Sequence, residues 1–300
     1  MAGRARLRPR RSSCKRLAGR LALPNSNMTF EQAIHDLART LHSAAPAFAL
    51  VLCRVAGFMV FAPLFGSAKI PRRAKTLLAL ALAFFLAQGV AMPENLPQSA
   101  AQAALGIGGE LSFGLAIGMI LSFTFIAAQW AGEMIGQQMG LNLSEVFDPQ
   151  FGQAGSIIGD AYFMLTLVVF LSARGHLALI RGLKSSFTAL PLMSVGLDKN
   201  LFDLLVSLFT SATTLAIQLA APVLVTMLVV DLALGCISKT IPQFNIMSAG
   251  MSVRSMVGLI VIVAGMALTG SVLTQAITKA MTVVERFCAA PVSPGASLSL

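Results

Sequence analysis

Three histidines, four cysteines and twelve carboxylates are the side chains in this 300-residue sequence from which catalytic or metal chemistry could be built. Their spacing argues against it. His35, His42 and His176 form no HExxH pair, so they offer no zinc protease site. Cys14, Cys53, Cys236 and Cys288 are scattered, with no CxxC spacing and no neighbouring histidine. Neither a GxSxG elbow nor a GxxxxGK phosphate loop occurs. Asp160 and Asp231 lie in or beside apolar runs, as an aspartyl dyad would, but SIIGDAYF carries Ile157 where a GxGD motif needs its first glycine. No catalytic residue, cofactor or metal ligand is therefore expected.

The segment Ala131 to Gln153, AGEMIGQQMGLNLSEVFDPQFGQ, offers another kind of chemistry. Its Glu133, Gln137, Gln138, Asn142, Glu145 and Asp148 are costly in hydrocarbon and call for a protein interior, a water-filled path or the bilayer surface. Gly132, Gly136 and Gly140 recur every four residues and make one smooth helical stripe for a close backbone approach. Met134 and Met139 add compliant thioethers beside that stripe, fit for packing or for a seal. The segment reads as an intersubunit or pore-lining element.

Hydrophobic helices must position it. Apolar residues make up 56% of the chain and charged ones 11%, with mean hydropathy +0.79, where a soluble domain carries about a quarter charged. Charge-free runs at 55–68, 76–93, 111–132, 161–173, 204–230 and 255–278 predict about six membrane-embedded helices in an all-α integral membrane protein. The fourth run is short unless it begins near Ile157 and carries Asp160 inside; a buried Asp160 would pair with an arginine such as Arg54 or Arg174. Glu110 and Glu133 bracket the third run as interfacial caps, and Asp231 ends a helix or meets a partner. Glu133, Asp160 and Asp231 are the candidate buried polar residues. Pro222 is expected to kink or break the fifth helix, and Pro242 to mark a hinge beyond it.

The basic loop SAKIPRRAK (67–75) belongs on the cytoplasmic side. Threading six simple spans from there puts Arg174, His176, Arg181 and Lys184 on the opposite side, against the same rule. A broken or re-entrant hairpin would relieve the conflict. Eight of the 22 basic residues precede Met28 with no acid among them, leaving 14 basic and 12 acidic residues for the remainder. Residues 1–27 are compatible with a surface tail, a nucleic-acid arm or a targeting peptide; the preferred expectation is a disordered extension or a misread start, because Thr29 and Gln32 begin a well-formed helix at Met28. The membrane-embedded domain is expected over 28–286 and a disordered tail over 287–300.

Four blocks resemble the FliR family of flagellar type III export: RVAGFMVFAPLFGSAKIPRR, AGEMIGQQMGLNLSEVFDP, FLSARGHLALIRGLKSSFTALPL and VDLALGCISKTIPQFNIMSAGMSVRSMVGL. Injectisome counterparts are less similar. The resemblance covers about residues 28–281, with Lys239 standing where arginine is usual and Met251-Ser252 in place of an aromatic residue and proline. It implies an export-gate subunit fold, one copy assembling with FliP and FliQ homologues into a closed helical funnel, and an FlhB homologue around the entrance. It also implies a multi-pass protein of the bacterial inner membrane and flagellar basal body, in contact with unfolded export substrates and lipid but with no nucleic acid. Residues 137–151 would be a plug in the lumen, with Gln138, Met139, Gly140, Leu141, Phe147, Asp148, Pro149 and Phe151 as gate residues. The alternatives are a virulence-type secretion gate subunit, a structural scaffold whose polar loop never gates, and a stand-alone secondary transporter.

Overall fold

A computed structural model describes residues 30–63, 71–90, 99–141, 156–193, 200–240 and 246–289. Among them the chain is all-helical: α1 (Phe30–Phe61), α2 (Arg72–Ala87), α3 (Ala100–Gln138), α4 (Ile157–Ser172), α5 (Gly175–Ala189), α6 (Asn200–Thr240) and α7 (Ile246–Ala289). Packing divides the chain at Pro46, inside α1, into units Met1–Pro46 and Ala47–Leu300. All that follows concerns the second unit.

α3 is the central element. Ser99 caps its start, the extended side-chain oxygen accepting from the Gln102 amide at 3.2 Å. From there it runs for 39 residues, and 61% of its most apolar stretch is buried, against 17% for α6 and 11% for α7. α3 is thus wrapped by protein, while α6 and α7 turn most of their apolar surface outward, to lipid or to other chains. Two buried clusters surround it. One joins Val55 and Phe58 of α1 to Ile117 and Leu121 of α3, Leu183 of α5 and Val284 of α7. The other joins Ile135 and Met139 of α3 to Ala216, Ala220 and Met227 of α6 and Leu273 of α7. α1 and α3 approach to backbone contact, since a Cβ on Gly114 would lie 2.1 Å from the Arg54 carbonyl oxygen. The Ser122 hydroxyl donates to the Phe61 carbonyl across the same seam.

α4 starts under a Ser156 cap, its side chain accepting from the Gly159 amide at 3.3 Å, and carries Asp160 in its first turn as expected. It breaks at Arg174, whose φ of 55° and ψ of 31° place it in the left-handed region. α4 and α5 consequently meet at a bend of 67°, a broken span or re-entrant pair of the kind the charge pattern demanded.

The count of about six membrane-embedded helices is not confirmed. Three described helices are long and apolar enough to cross a membrane, or four with the bent pair taken as one. The first two runs form the apolar part of α1, Ala45–Phe61, and the 16-residue α2. At 1.5 Å per residue these reach only about 25 Å, short of the roughly 30 Å of hydrocarbon. Of the two outcomes expected at Pro222, a break does not occur: α6 continues through it. α7 extends to Ala289, past the expected start of the tail at 287.

Candidate functional site

The glycine segment begins inside α3 and ends it. At Gly132 a Cβ would fall 2.6 Å from both the Gly159 Cα and the Ile158 carbonyl oxygen, so α3 and α4 touch backbone to backbone. Gly136 is buried one turn on. Gly140 plays a different part: its φ of 73° places it just past the helix end, where the Leu141 amide donates to the Gly136 carbonyl and the Gly140 amide to the Gln137 carbonyl, both at 3.0 Å. This paired pattern is a Schellman cap, which satisfies two terminal carbonyls and needs a residue tolerant of positive φ.

Met139, immediately before the cap, is 1% exposed. Its side chain lies against α7 at Gly258, where a Cβ would sit 2.6 Å from the Met139 Cγ and 2.7 Å from the Met227 Cε of α6. The Ser255 hydroxyl donates to the Met139 carbonyl at 3.0 Å. The end of α3 is therefore held between α6 and α7 by a thioether pair and one hydrogen bond. Gln137 and Gln138 point outward, Gly140 is half-buried, and Leu141 is 39% exposed. Phe147, Asp148, Pro149, Phe151 and Pro242 lie outside the described residues.

The candidate buried acids are placed differently from one another. Glu133 is half-buried and accepts from the Gln129 side-chain amide at 3.3 Å, one turn earlier on α3. Asp160 is exposed on the single chain and pairs with neither Arg54 nor Arg174, which corrects the expectation of a buried ion pair there. Asp231 meets Arg254 across α6 and α7 at 2.7 Å, with about 38% of each side chain exposed. That pair lacks hydrogen-bond alignment, since the Asp231 Oδ1 has no hydrogen-bond partner, and it acts as a charge contact alone. Partly exposed pairs of this kind contribute about 1 kcal/mol or less.

The fully buried acid is Glu110, read from the sequence as an interfacial cap. Its Oε2 accepts from Arg54 Nε at 2.5 Å, and both side chains are 0% exposed. Its other oxygen accepts from the Met193 amide at 3.0 Å. The guanidinium of Arg54 also donates to the Ser186 hydroxyl and to the Leu190 carbonyl at 3.3 Å, and lies over the rings of Phe187 and Phe113 at 4.4 and 5.0 Å. One buried ion pair thus ties α1, α3 and α5 together, and every charged atom has a partner. A signal for it did exist: Arg54 alone interrupts an uncharged stretch from Thr40 to Ala68 and so required a counter-ion.

Among the described residues no group of three or more His, Cys, Asp or Glu side chains could hold a metal ion. What the helices define is an all-α membrane protein, closed around α3 by glycine contacts and a buried ion pair, with long apolar helices facing outward. Residues 45–280 match the family described as bacterial export proteins, family 1, and the chain belongs to that family. Its relatives include the flagellar biosynthetic protein FliR of Bacillus subtilis (strain 168), 31% identical over 222 residues, which cover 73% of this chain and 85% of that protein. The FliR protein of Escherichia coli (strain K12) is 31% identical over 209 residues, covering 69% of this chain and 79% of the relative. That of Aquifex aeolicus (strain VF5) is 28% identical over 209 residues, covering 70% and 81%. The chain is a membrane component of flagellar protein export.

Proposed function

We propose that this chain is a subunit of the flagellar type III protein export gate, assembling as one copy with FliP and FliQ homologues into a closed helical channel, with an FlhB homologue at its entrance. It would sit in the bacterial inner membrane as part of the flagellar basal body. Unfolded flagellar proteins pass through the channel, and residues 137–151 close around them as a plug that limits ion leak. No residue is asked to make or break a covalent bond; partner components and the proton motive force supply the energy.

The observation that carries the plug is the end of α3. Met139 is clamped between α6 and α7, and Gly140 caps the helix one residue later. A polar segment leaving so firm an anchor has a fixed base, as a constriction needs, and Gln138 and Leu141 face outward beside it. The outward apolar faces of α6 and α7 suit a protein that completes its packing with other subunits and lipid.

The test is deletion of residues 142–148 in the co-assembled complex, with small-ion flux measured in reconstituted vesicles. Raised flux with unchanged assembly supports the plug. Unchanged flux in an intact complex refutes it and leaves a scaffold role.

A further inference from the structure

On α7 the hydroxyls of Ser271, Thr274, Thr278 and Thr282 each donate to a carbonyl of their own helix, three or four residues back. Ser255 departs from that pattern. Its hydroxyl reaches across to α3 and donates to the Met139 carbonyl at 3.0 Å. Met139 is the last residue before the Gly140 turn, so its carbonyl lies past the point where α3 can satisfy it. The cap returns the Gly140 and Leu141 amides to Gln137 and Gly136 and leaves the Met139 oxygen to α7.

Other contacts converge on the same residue. Gly258, about one turn along α7 from Ser255, leaves room for the Met139 side chain: a Cβ there would lie 2.6 Å from its Cγ and 2.8 Å from its Sδ. Met227 of α6 closes the gap from the other side, its Cε 2.7 Å from the same point, and both methionines are 1% exposed. Arg254, beside Ser255, meets Asp231 at 2.7 Å, and Asp231 lies about one turn along α6 from Met227. The ion pair thus braces α6 against α7 at the level where they grip the end of α3. These holds on Met139, a hydroxyl and flexible thioethers in a glycine gap, can release without breaking a bond inside any helix. The residue that follows, Gly140, already has the positive φ at which the chain turns away.

We propose that Ser255 and Gly258 form a latch that positions the base of the plug: parting α7 from the end of α3 frees the chain beyond Met139 to move aside for a passing polypeptide. The inference rests on residues 137–151 being the plug. Ser255→Ala, Ser255→Thr, Gly258→Ala and the deletion of 142–148 are compared in the complex co-assembled with FliP and FliQ homologues. Small-ion flux in vesicles, hydrogen exchange at the Gly140 and Leu141 amides and the melting temperature are measured on each. One hydrogen bond is worth a factor of about three to ten in such an equilibrium, so Ser255→Ala should speed exchange and raise flux by that factor with the melting temperature unchanged. Ser255→Thr keeps the hydroxyl and should behave as the parent. Gly258→Ala displaces the Met139 side chain and should loosen the same helix end. Raised flux in the deletion but not in Ser255→Ala would refute the latch and keep the plug. Unchanged flux in the deletion would refute the plug, and the latch with it. Faster exchange in Ser255→Ala without added flux would make Ser255 a structural tie and overturn the proposal, as would a Ser255→Thr variant that leaks as Ser255→Ala does.

Discussion

Neutralising Glu110 should destabilise the chain strongly even though it keeps the side chain's size, because Glu110 is half of a fully buried ion pair. In Glu110→Gln the Met193 amide keeps an acceptor, but the Arg54 guanidinium, 0% exposed, loses its counter-ion. Removing one partner of a buried ion pair costs about 3–5 kcal/mol. The Leu190 carbonyl, the Ser186 hydroxyl and two aromatic faces still contact the cation, which places the cost near the lower figure. At about 3 kcal/mol the unfolding equilibrium shifts more than a hundredfold. Arg54→Met should cost at least as much, because it strands a buried carboxylate. The double variant Arg54→Met/Glu110→Gln carries no buried charge and leaves chiefly the Leu190 carbonyl unpaired, a loss of about 1–3 kcal/mol. It should therefore be less damaging than either single change, with a coupling energy of several kcal/mol. Denaturant titration in detergent micelles, followed by fluorescence of the single tryptophan, Trp130, which packs edge-on to Phe209, measures all three. Additive single effects, agreeing within about 0.5 kcal/mol, would show that the pair does not hold α1, α3 and α5 together.

The glycine contacts give sharper contrasts. Gly132→Ala forces its Cβ into the α4 backbone and should lower stability by about 1–3 kcal/mol, whereas Gly258→Ala meets only methionine side chains that can turn aside and should cost less; thermal unfolding in detergent compares them. Gly140→Ala places a side chain at φ 73° and should cost about 1–2 kcal/mol, with Gly140→Asn recovering part of it; equal stability of all three would remove the cap from the account. Asp231→Asn should change stability by about 1 kcal/mol or less, since its ion pair is partly exposed, and a loss several times larger would mean the pair is buried against another subunit.

How far the sequence reached depends on how local each feature is. The all-helical membrane class and the three long apolar helices α3, α6 and α7 follow from composition, which acts residue by residue. α4 could be extended back to Ile157 with Asp160 inside it because the run 161–173 is too short to span alone, and the structure starts it there under a Ser156 cap. Which way Asp160 faces could not be read, since α4 is apolar on nearly every side and has no polar stripe to set its phase. The Arg54–Glu110 pair joins residues 56 positions apart, and no local pattern says which acid meets which base. Pro222 was expected to kink or break α6 because it lacks an amide proton, and the helix continues through it without a break. The glycine repeat was legible as a stripe, yet its members divide their work: Gly132 makes a helix contact and Gly140 a helix end, a difference that lies in φ and not in spacing.

The central claim is that the chain completes its fold within an export gate. Its most direct test is the mass, in detergent, of the complex purified through this chain when co-expressed with its cognate FliP and FliQ homologues. The account predicts a defined hetero-oligomer holding one copy of this chain among several partner copies. A stable monomer or homo-oligomer that leaves those partners behind would contradict it and point to a protein that works alone.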